Sequence, residues 1–346
     1  MTAAEERWKR IVEFVRANPV SDISLFGANI AARMEGKIAH LTEPGALSRD
    51  DVQGLIEELI RRYPLANRQI RQAMGSSDFT AEVMGARFRV NLGYAQGELF
   101  ASLRPLPKKV PALEEIGIPS RTEALIATLT DGLVLVSGPT GSGKTTTIAA
   151  MVEAVNRQRQ AKIVTIEDPV EFLFVPDQAE LIQREVGWDV PSYAEGLRQA
   201  LRQNPDVIVV GEIRDGDSVL AALQAAETGH LVIGSVHASS VVDTVRRLIL
   251  LAPDSTAAQV RYVLGRTMRL MINQRLLRRR TSGRLAVREI CVRAANTEAV
   301  ILSGNEQELE NYMLAGKDLG MADFQSSLRQ VQGQLDPAEV RLYWKG

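Results

Sequence analysis

The sequence predicts an α/β protein in two parts, a mixed α+β N-terminal domain followed by a larger domain built on a parallel sheet. Three observations lead there. Four continuous apolar runs, Leu133–Val136, Ile163–Ile166, Val207–Val210 and Leu231–Val236, alternate with helix-forming stretches, the pattern of strands buried on both faces. Before residue 104 the strands instead read as short and alternating, with one face polar. Between the two textures, Pro105, Pro107 and Pro111 surround Lys108-Lys109, a linker composition. The expected division is 1–104, a linker at 105–112, a core at 113–260 and a mainly helical C-terminal part at 261–346.

In chain order, Trp8, Ile11, Val12, Phe14 and Val15 recur at helical spacing, so residues 4–17 are expected to form an amphipathic helix ending before Asn18-Pro19. Ser21–Leu25 and Ala31–Ile38 read as strands, with Glu35-Gly36 as a turn. Ser48, with Asp51 behind it, caps a second helix that Pro64 stops. Residues 79–103 alternate as strands, with Phe88 and Val90 on one face and Arg87 and Arg89 on the other. After residue 260 no comparable strand series is expected.

The chain has 346 residues, 45% hydrophobic and 24% charged, a globular composition long enough for two domains. Lys plus Arg number 41 against 42 Asp plus Glu, so the molecule is not a basic nucleic-acid coat. Cys291 is the single cysteine and His40, His230 and His237 are the only histidines. That excludes a disulfide framework and an internal four-cysteine zinc module, and it disfavours a structural metal. The N-terminus lacks the apolar run of a secretory signal, and no stretch approaches the ~18 apolar residues of a membrane span. The expected location is cytoplasmic, with membrane association through partners.

Gly138-Pro-Thr-Gly-Ser-Gly-Lys-Thr145 matches the phosphate-loop pattern directly after an apolar strand and before a helix. Gly138, Gly141 and Gly143 let backbone N–H groups turn inward, and Pro139, Thr140, Ser142 and Thr146 complete the candidate cradle. Lys144 can reach the β- and γ-phosphates, and the Thr145 hydroxyl suits Mg²⁺. ATP and Mg²⁺ are therefore the expected ligands. Such a loop does not by itself choose between kinase, switch and motor. Val207-Ile-Val-Val-Gly-Glu212 and Thr165-Ile-Glu167 each deliver an acid at the end of a candidate strand. Two such acids after one phosphate loop favour catalysis over surface charge.

The phosphate loop, Thr165-Ile-Glu-Asp-Pro-Val-Glu171, Gln183-Arg-Glu-Val-Gly187, Asn204-Pro-Asp-Val-Ile-Val-Val-Gly-Glu-Ile-Arg-Asp215, Thr228-Gly-His-Leu-Val and Val236-His237 follow one another. In this order they resemble the Walker A, Asp box, Walker B and His box of the secretion ATPases of the GspE/PilT group. The resemblance implies a PAS-like N-terminal domain, a RecA-like ATPase domain and a homo-hexameric ring hydrolysing ATP at subunit boundaries. It also implies a motor for a type IV pilus or a related secretion or conjugation machine, peripheral at the inner membrane on a platform protein, with no nucleic-acid partner. Carried over by motif, Glu167 orients or deprotonates the attacking water. Glu212 holds the Mg²⁺ shell or shares the base role, and these assignments stay open. His230 and His237 are implied to sense the γ-phosphate. Arg89, in Arg-Phe-Arg-Val-Asn, and Arg104, in Leu-Arg-Pro-Leu-Pro, are implied to act as fingers on the nucleotide. A RecA-like nucleic-acid motor and a slow nucleotide-dependent assembly switch are the alternatives.

The single cysteine favours the short branch of the family, with PilT-like retraction motors and DotB/TraJ-like transport ATPases. Three departures accompany this: Ala299-Val-Ile-Leu-Ser-Gly-Asn-Glu306 lacks the arginines of the retraction members, Ser21-Asp-Ile-Ser24 lacks their histidine, and His237-Ala-Ser239 replaces His-Thr-Asn. Residues 261–293 hold ten arginines against one acid, Glu289. These read either as a basic docking surface or as solvated and interface arginines; the second is preferred, and Tyr262 alone offers no stacking platform.

Overall fold

A computed structural model describes residues 3–34, 37–41, 48–64 and 75–344. The chain forms two compact units, one of residues 1–109 with 168–173, the other of 110–167 with 174–346.

In the first unit, helix Ala3–Ala17 buries Trp8, Ile11 and Val12, the apolar stripe its spacing requires. Helix Arg49–Arg62 starts at Ser48, whose hydroxyl accepts the Asp51 N–H while the Asp51 carboxylate accepts the Ser48 N–H. It ends before Pro64. Six strands, β1 (Val20–Phe26), β2 (Asn29–Met34), β3 (Lys37–His40), β4 (Ser77–Val83), β5 (Ala86–Ala95) and β6 (Glu98–Pro105), form an antiparallel sheet in the order β3-β2-β1-β6-β5-β4. Two-residue turns at Met84-Gly85 and Gln96-Gly97 have positive φ at both positions, which matches the twist of the hairpins β4–β5 and β5–β6. The expected turn at Glu35-Gly36 lies outside the described residues. Phe79, Phe88, Val90 and Leu92 are buried on the face opposite Arg87 and Arg89.

The second unit is a seven-stranded sheet of β7 (Gly132–Ser137), β8 (Lys162–Glu167), β9 (Glu180–Glu185), β10 (Val207–Val210), β11 (Leu231–Val236), β12 (Met268–Arg278) and β13 (Arg284–Val292). Its order is β13-β12-β7-β11-β10-β8-β9, parallel throughout except for the antiparallel edge strand β13. Alternate residues of each strand feed two cores. Leu133, Leu135, Val164, Ile166, Ile208 and Val210 pack with helices Tyr193–Ala200, Gly216–Glu227, Val241–Leu251 and Ala257–Thr267. Val134, Val136, Ile163, Val207 and Val209 pack with helices Ser120–Thr128 and Lys144–Gln158. Burial on both faces is why the central strands β7, β8, β10 and β11 are apolar at most of their buried positions.

Two sequence expectations need correction here. The C-terminal part is helical for most of its length, but β12 and β13 extend the main sheet, so the expected lack of a strand series fails. A boundary at 260/261 also cuts helix Ala257–Thr267. The arginines that obscured these strands mostly have partners within the chain. Arg269 pairs with Asp131, Arg278 with Glu339, Arg293 with Glu298 and Arg261 with Glu306; Arg275 lies over the Tyr343 ring. Among the described residues no helix is long and apolar enough to cross a membrane.

Glu289 on β13 accepts the Val241 N–H at 2.6 Å, at the start of helix Val241–Leu251. Burial pushes its carboxyl from 4.5 up to about 7; the Val241 N–H and Arg275 oppose the rise, while Glu310 and Asp323 add to it. The folded protein therefore holds this proton more tightly than the unfolded chain. The resulting stability is complete below the ordinary carboxylate value and is lost as pH rises to about 7. Glu289→Gln keeps an acceptor for Val241 and removes the charge. It is expected to stabilise the second unit at pH 8 by about 2 kcal/mol and to change little at pH 4.5, read as the shift in urea midpoint at each pH.

Candidate active site

The phosphate loop leaves the C-terminal end of β7. Gly138, Gly141 and Gly143 have φ of 150°, 76° and 86°. A Cβ on Gly138 would collide with the Gln274 carbonyl of β12, so only glycine passes there. Gly143 precedes helix Lys144–Gln158 in a left-handed conformation and offers no side-chain cap, which leaves the first helical N–H groups for an anion. Lys144 Nζ donates to Gly138 O at 3.0 Å and Pro139 O at 3.1 Å. Burial holds its ammonium below the usual lysine range, and the Glu212 carboxylate pulls it back. Thr145 is exposed, Thr146 partly so. Glycine-shaped backbone, an uncapped helix start, a lysine and an exposed hydroxyl fit a Mg²⁺-bound nucleoside triphosphate.

The sheet register gathers the other groups. Val210 pairs with Ile166 and with Gly234, so Glu212 and Glu167 emerge at the same sheet edge as the phosphate loop. Gly211 donates its N–H to Ile166 O at 2.8 Å and accepts the Ser235 hydroxyl at 2.5 Å, which fixes the residue before Glu212. From the strand order, Glu212 leaves a strand roughly 10 Å from β7 and Glu167 one roughly 14 Å away. Glu167 Oε1 accepts the Thr165 hydroxyl at 2.6 Å and the Gln183 amide at 3.1 Å. Neither holder was assigned from sequence. Their signal was positional, since Thr165 shares a strand face with Glu167 and Gln183 pairs with Thr165 across β8–β9.

His237 follows β11 at this edge, with Nε2 3.2 Å from Thr140 Oγ1. A cavity of about 520 Å³ opens beside Pro139 and His237, with Arg246, Arg247 and Arg275 on its wall. His230 is elsewhere. It precedes β11, its carbonyl accepts the Gly132 N–H, and its Nδ1 lies 3.1 Å from Ala225 O. The six residues of β11 put it roughly 20 Å from the phosphate loop of the same chain. Within this chain His230 therefore does not reach the phosphate loop; it closes a helix-to-strand turn at the opposite sheet edge.

The two arginines lie in the first unit, directly opposite one another on β5 and β6. Arg89 is 3.9 Å from both Asp78 and Glu171, and Arg104 donates to Asp22 Oδ1 at 3.1 and 3.0 Å. Burial raises the Glu171 carboxyl, and Arg89 and Arg104 counter it. Paired like charges on one face cost energy unless anions answer them, and here the carboxylates of Asp78, Glu171 and Asp22 do so. Arg87 donates instead to Val170 O at 2.8 Å and Glu171 O at 2.9 Å, holding the segment 168–173.

The family model described as "Type II/IV secretion system protein" matches residues 79–335, which includes every group at this sheet edge. The chain belongs to the type II/IV secretion system protein family. The chain is 35% identical over 321 residues to the type IV pilus retraction ATPase PilT of Pseudomonas aeruginosa, covering 92% of each chain. It is 34% identical over 339 residues to the twitching motility protein of Neisseria gonorrhoeae, covering 96% of this chain and 89% of that one. The crystal structure of the pilus retraction motor PilT with bound ADP superposes with a TM-score of 0.89 at 34% identity, covering 100% of this chain and 98% of that one. The ATPase DotB of Legionella pneumophila gives a TM-score of 0.80 at 28% identity, covering 98% and 95%. The protein is an ATPase with an N-terminal domain and a RecA-like domain.

Proposed function

We propose that the protein is a homo-hexameric motor that hydrolyses ATP to drive a type IV pilus or a related secretion or conjugation machine. It works at the cytoplasmic face of the inner membrane, held there by a platform protein. The observation that carries this reading is the assembly of the phosphate loop, Glu212, Glu167 and His237 on one sheet edge, in a chain similar to PilT and DotB over almost its whole length.

In this reading the loop N–H groups and Lys144 bind the phosphates, while Thr145 and Glu212 hold the Mg²⁺ shell. Bound Mg²⁺ neutralises phosphate charge. Glu167, steadied by Thr165 and Gln183, orients water and receives its proton. His237 senses the γ-phosphate through the loop beside Thr140. Arg89 and Arg104 reach the nucleotide in the assembled ring, where they stabilise the charge that spreads onto phosphoryl oxygens.

The test is Glu212→Gln in place of the native copy in the source cell, scoring surface pili, twitching, and delivery of protein or DNA to a recipient. The expected result is loss of one of these outputs. Abundant immobile pili with normal delivery identify a retraction motor; lost delivery without accumulated pili identifies a transport motor. No change in any output overturns the proposal.

A further inference from the structure

One buried side-chain pair beside the phosphate loop has no part in the roles above. Gln274 on β12 is 1% exposed and Arg288, directly opposite it on β13, is 5% exposed. Gln274 Nε2 donates to Ser142 O at 2.7 Å, inside the phosphate loop. Its Oε1 accepts the Thr147 hydroxyl at 2.9 Å, on the first turn of helix Lys144–Gln158, and Arg288 Nε at 3.2 Å. Arg288 Nη1 and Nη2 donate to Gly117 O at 3.1 Å and Ile116 O at 2.8 Å. One amide thus ties the loop to the start of its helix. A Cβ on Gly143 would lie 3.2 Å from Gln274 Nε2, so the amide packs directly under the loop.

The chemistry fixes which way the amide points. Arginine has donors only, so Gln274 must present its oxygen to Arg288. That leaves Nε2 facing Ser142 O, the one arrangement in which every contact pairs a donor with an acceptor. With the amide reversed, an N–H would oppose the guanidinium and an oxygen would oppose a carbonyl. Burying a charge carries a desolvation cost, and burial lowers the Arg288 pKa to about 10. Three oxygens answer the cation, and it stays protonated at neutral pH. Two of its hydrogen bonds tie β13 to the chain at Ile116 and Gly117, and the third meets the Gln274 oxygen.

We propose that Gln274 is a positioning residue for the phosphate loop and that Arg288 sets its orientation, so that the loop N–H groups at 141–145 stay aimed at nucleotide phosphates. This rests on the ATPase reading. Gln274 touches no phosphate in this scheme; it acts through Ser142 and Thr147.

The test compares full-length Gln274→Glu, Arg288→Met and Arg288→Lys with the native protein. Three quantities are read: the Kd of a fluorescent ADP analogue, kcat and KM for ATP, and amide hydrogen exchange at 138–145 and at 284–292. Glu at 274 keeps a partner for Arg288, so β12–β13 holds, but it sets an oxygen against Ser142 O. The expected result is about tenfold weaker ADP binding and faster exchange in 138–145 alone. Arg288→Met is expected to do the same, while Arg288→Lys, still a donor, restores affinity to within about threefold of native. If Gln274→Glu does not fold, Gln274→Met, of similar volume, is expected to weaken ADP binding in the same way, with faster exchange at 284–292 as well because Arg288 Nε loses its acceptor. Native ADP affinity and native loop exchange in the Gln274 and Arg288→Met variants overturn the proposal. Equal behaviour of Arg288→Met and Arg288→Lys overturns the orienting role of Arg288. A Lys144→Ala control that still turns over ATP sinks the ATPase reading instead.

Discussion

Lys144→Ala lowers ATP turnover by at least about a hundredfold and leaves the fold in place. Lys144 is half-buried at the first position of helix Lys144–Gln158, and its ammonium is held by the carbonyls of Gly138 and Pro139. Alanine has a helix propensity at least as high as lysine, so the helix loses nothing intrinsic. The change also relieves the partial burial of a cation. Stability is therefore preserved or slightly raised while the charge that meets the phosphates is gone. Steady-state phosphate release together with a thermal melt separates the two. An active variant with an unchanged melt refutes the phosphate-site assignment.

Glu212→Gln and Glu167→Gln both abolish most turnover, by about 10²- to 10⁴-fold, but they differ in their dependence on Mg²⁺. Glu212 emerges closer to the loop strand and its charge is felt by Lys144. Glu167 is one strand further away, with one oxygen fixed by Thr165 and Gln183. The expected result is that Glu212→Gln raises the Mg²⁺ concentration needed for nucleotide binding several-fold, whereas Glu167→Gln leaves it unchanged. A Mg²⁺ titration of fluorescent-nucleotide binding decides this. Identical titrations would mean that the two carboxylates share one role.

What was legible in the sequence follows from what each residue's neighbours demand. Leu133–Val136 and Val207–Val210 declared themselves as strands because both sheet faces are buried and every position is apolar. The phosphate loop was legible because its glycines meet backbone constraints that no other residue satisfies. β12 was not, because Arg269, Arg275 and Arg278 interrupt its apolar pattern and find partners only once the chain has folded. The candidate catalytic carboxylates could be named from their strand ends, and Thr165 from its shared strand face with Glu167, but Gln183 becomes visible only through the β8–β9 register. His230 lies away from the loop of its own chain for a related reason. A motif reports proximity in sequence, and β11 runs between its two histidines, carrying them to opposite edges of the sheet.

The boundary between the two units passes between Glu167 and Asp168 and again after Leu173, so six residues from the middle of the chain complete the N-terminal unit. Thr80 and Arg87 hold the carbonyls of Val170 and Glu171, and Val170 and Phe172 are buried, at 7% and 4% exposure. Truncation at the proline-rich linker therefore does not release a self-contained ATPase domain. It strips a greasy, carbonyl-rich strap of its partners one peptide bond from Glu167, so weak or aggregating fragments would report on that strap rather than on the phosphate site.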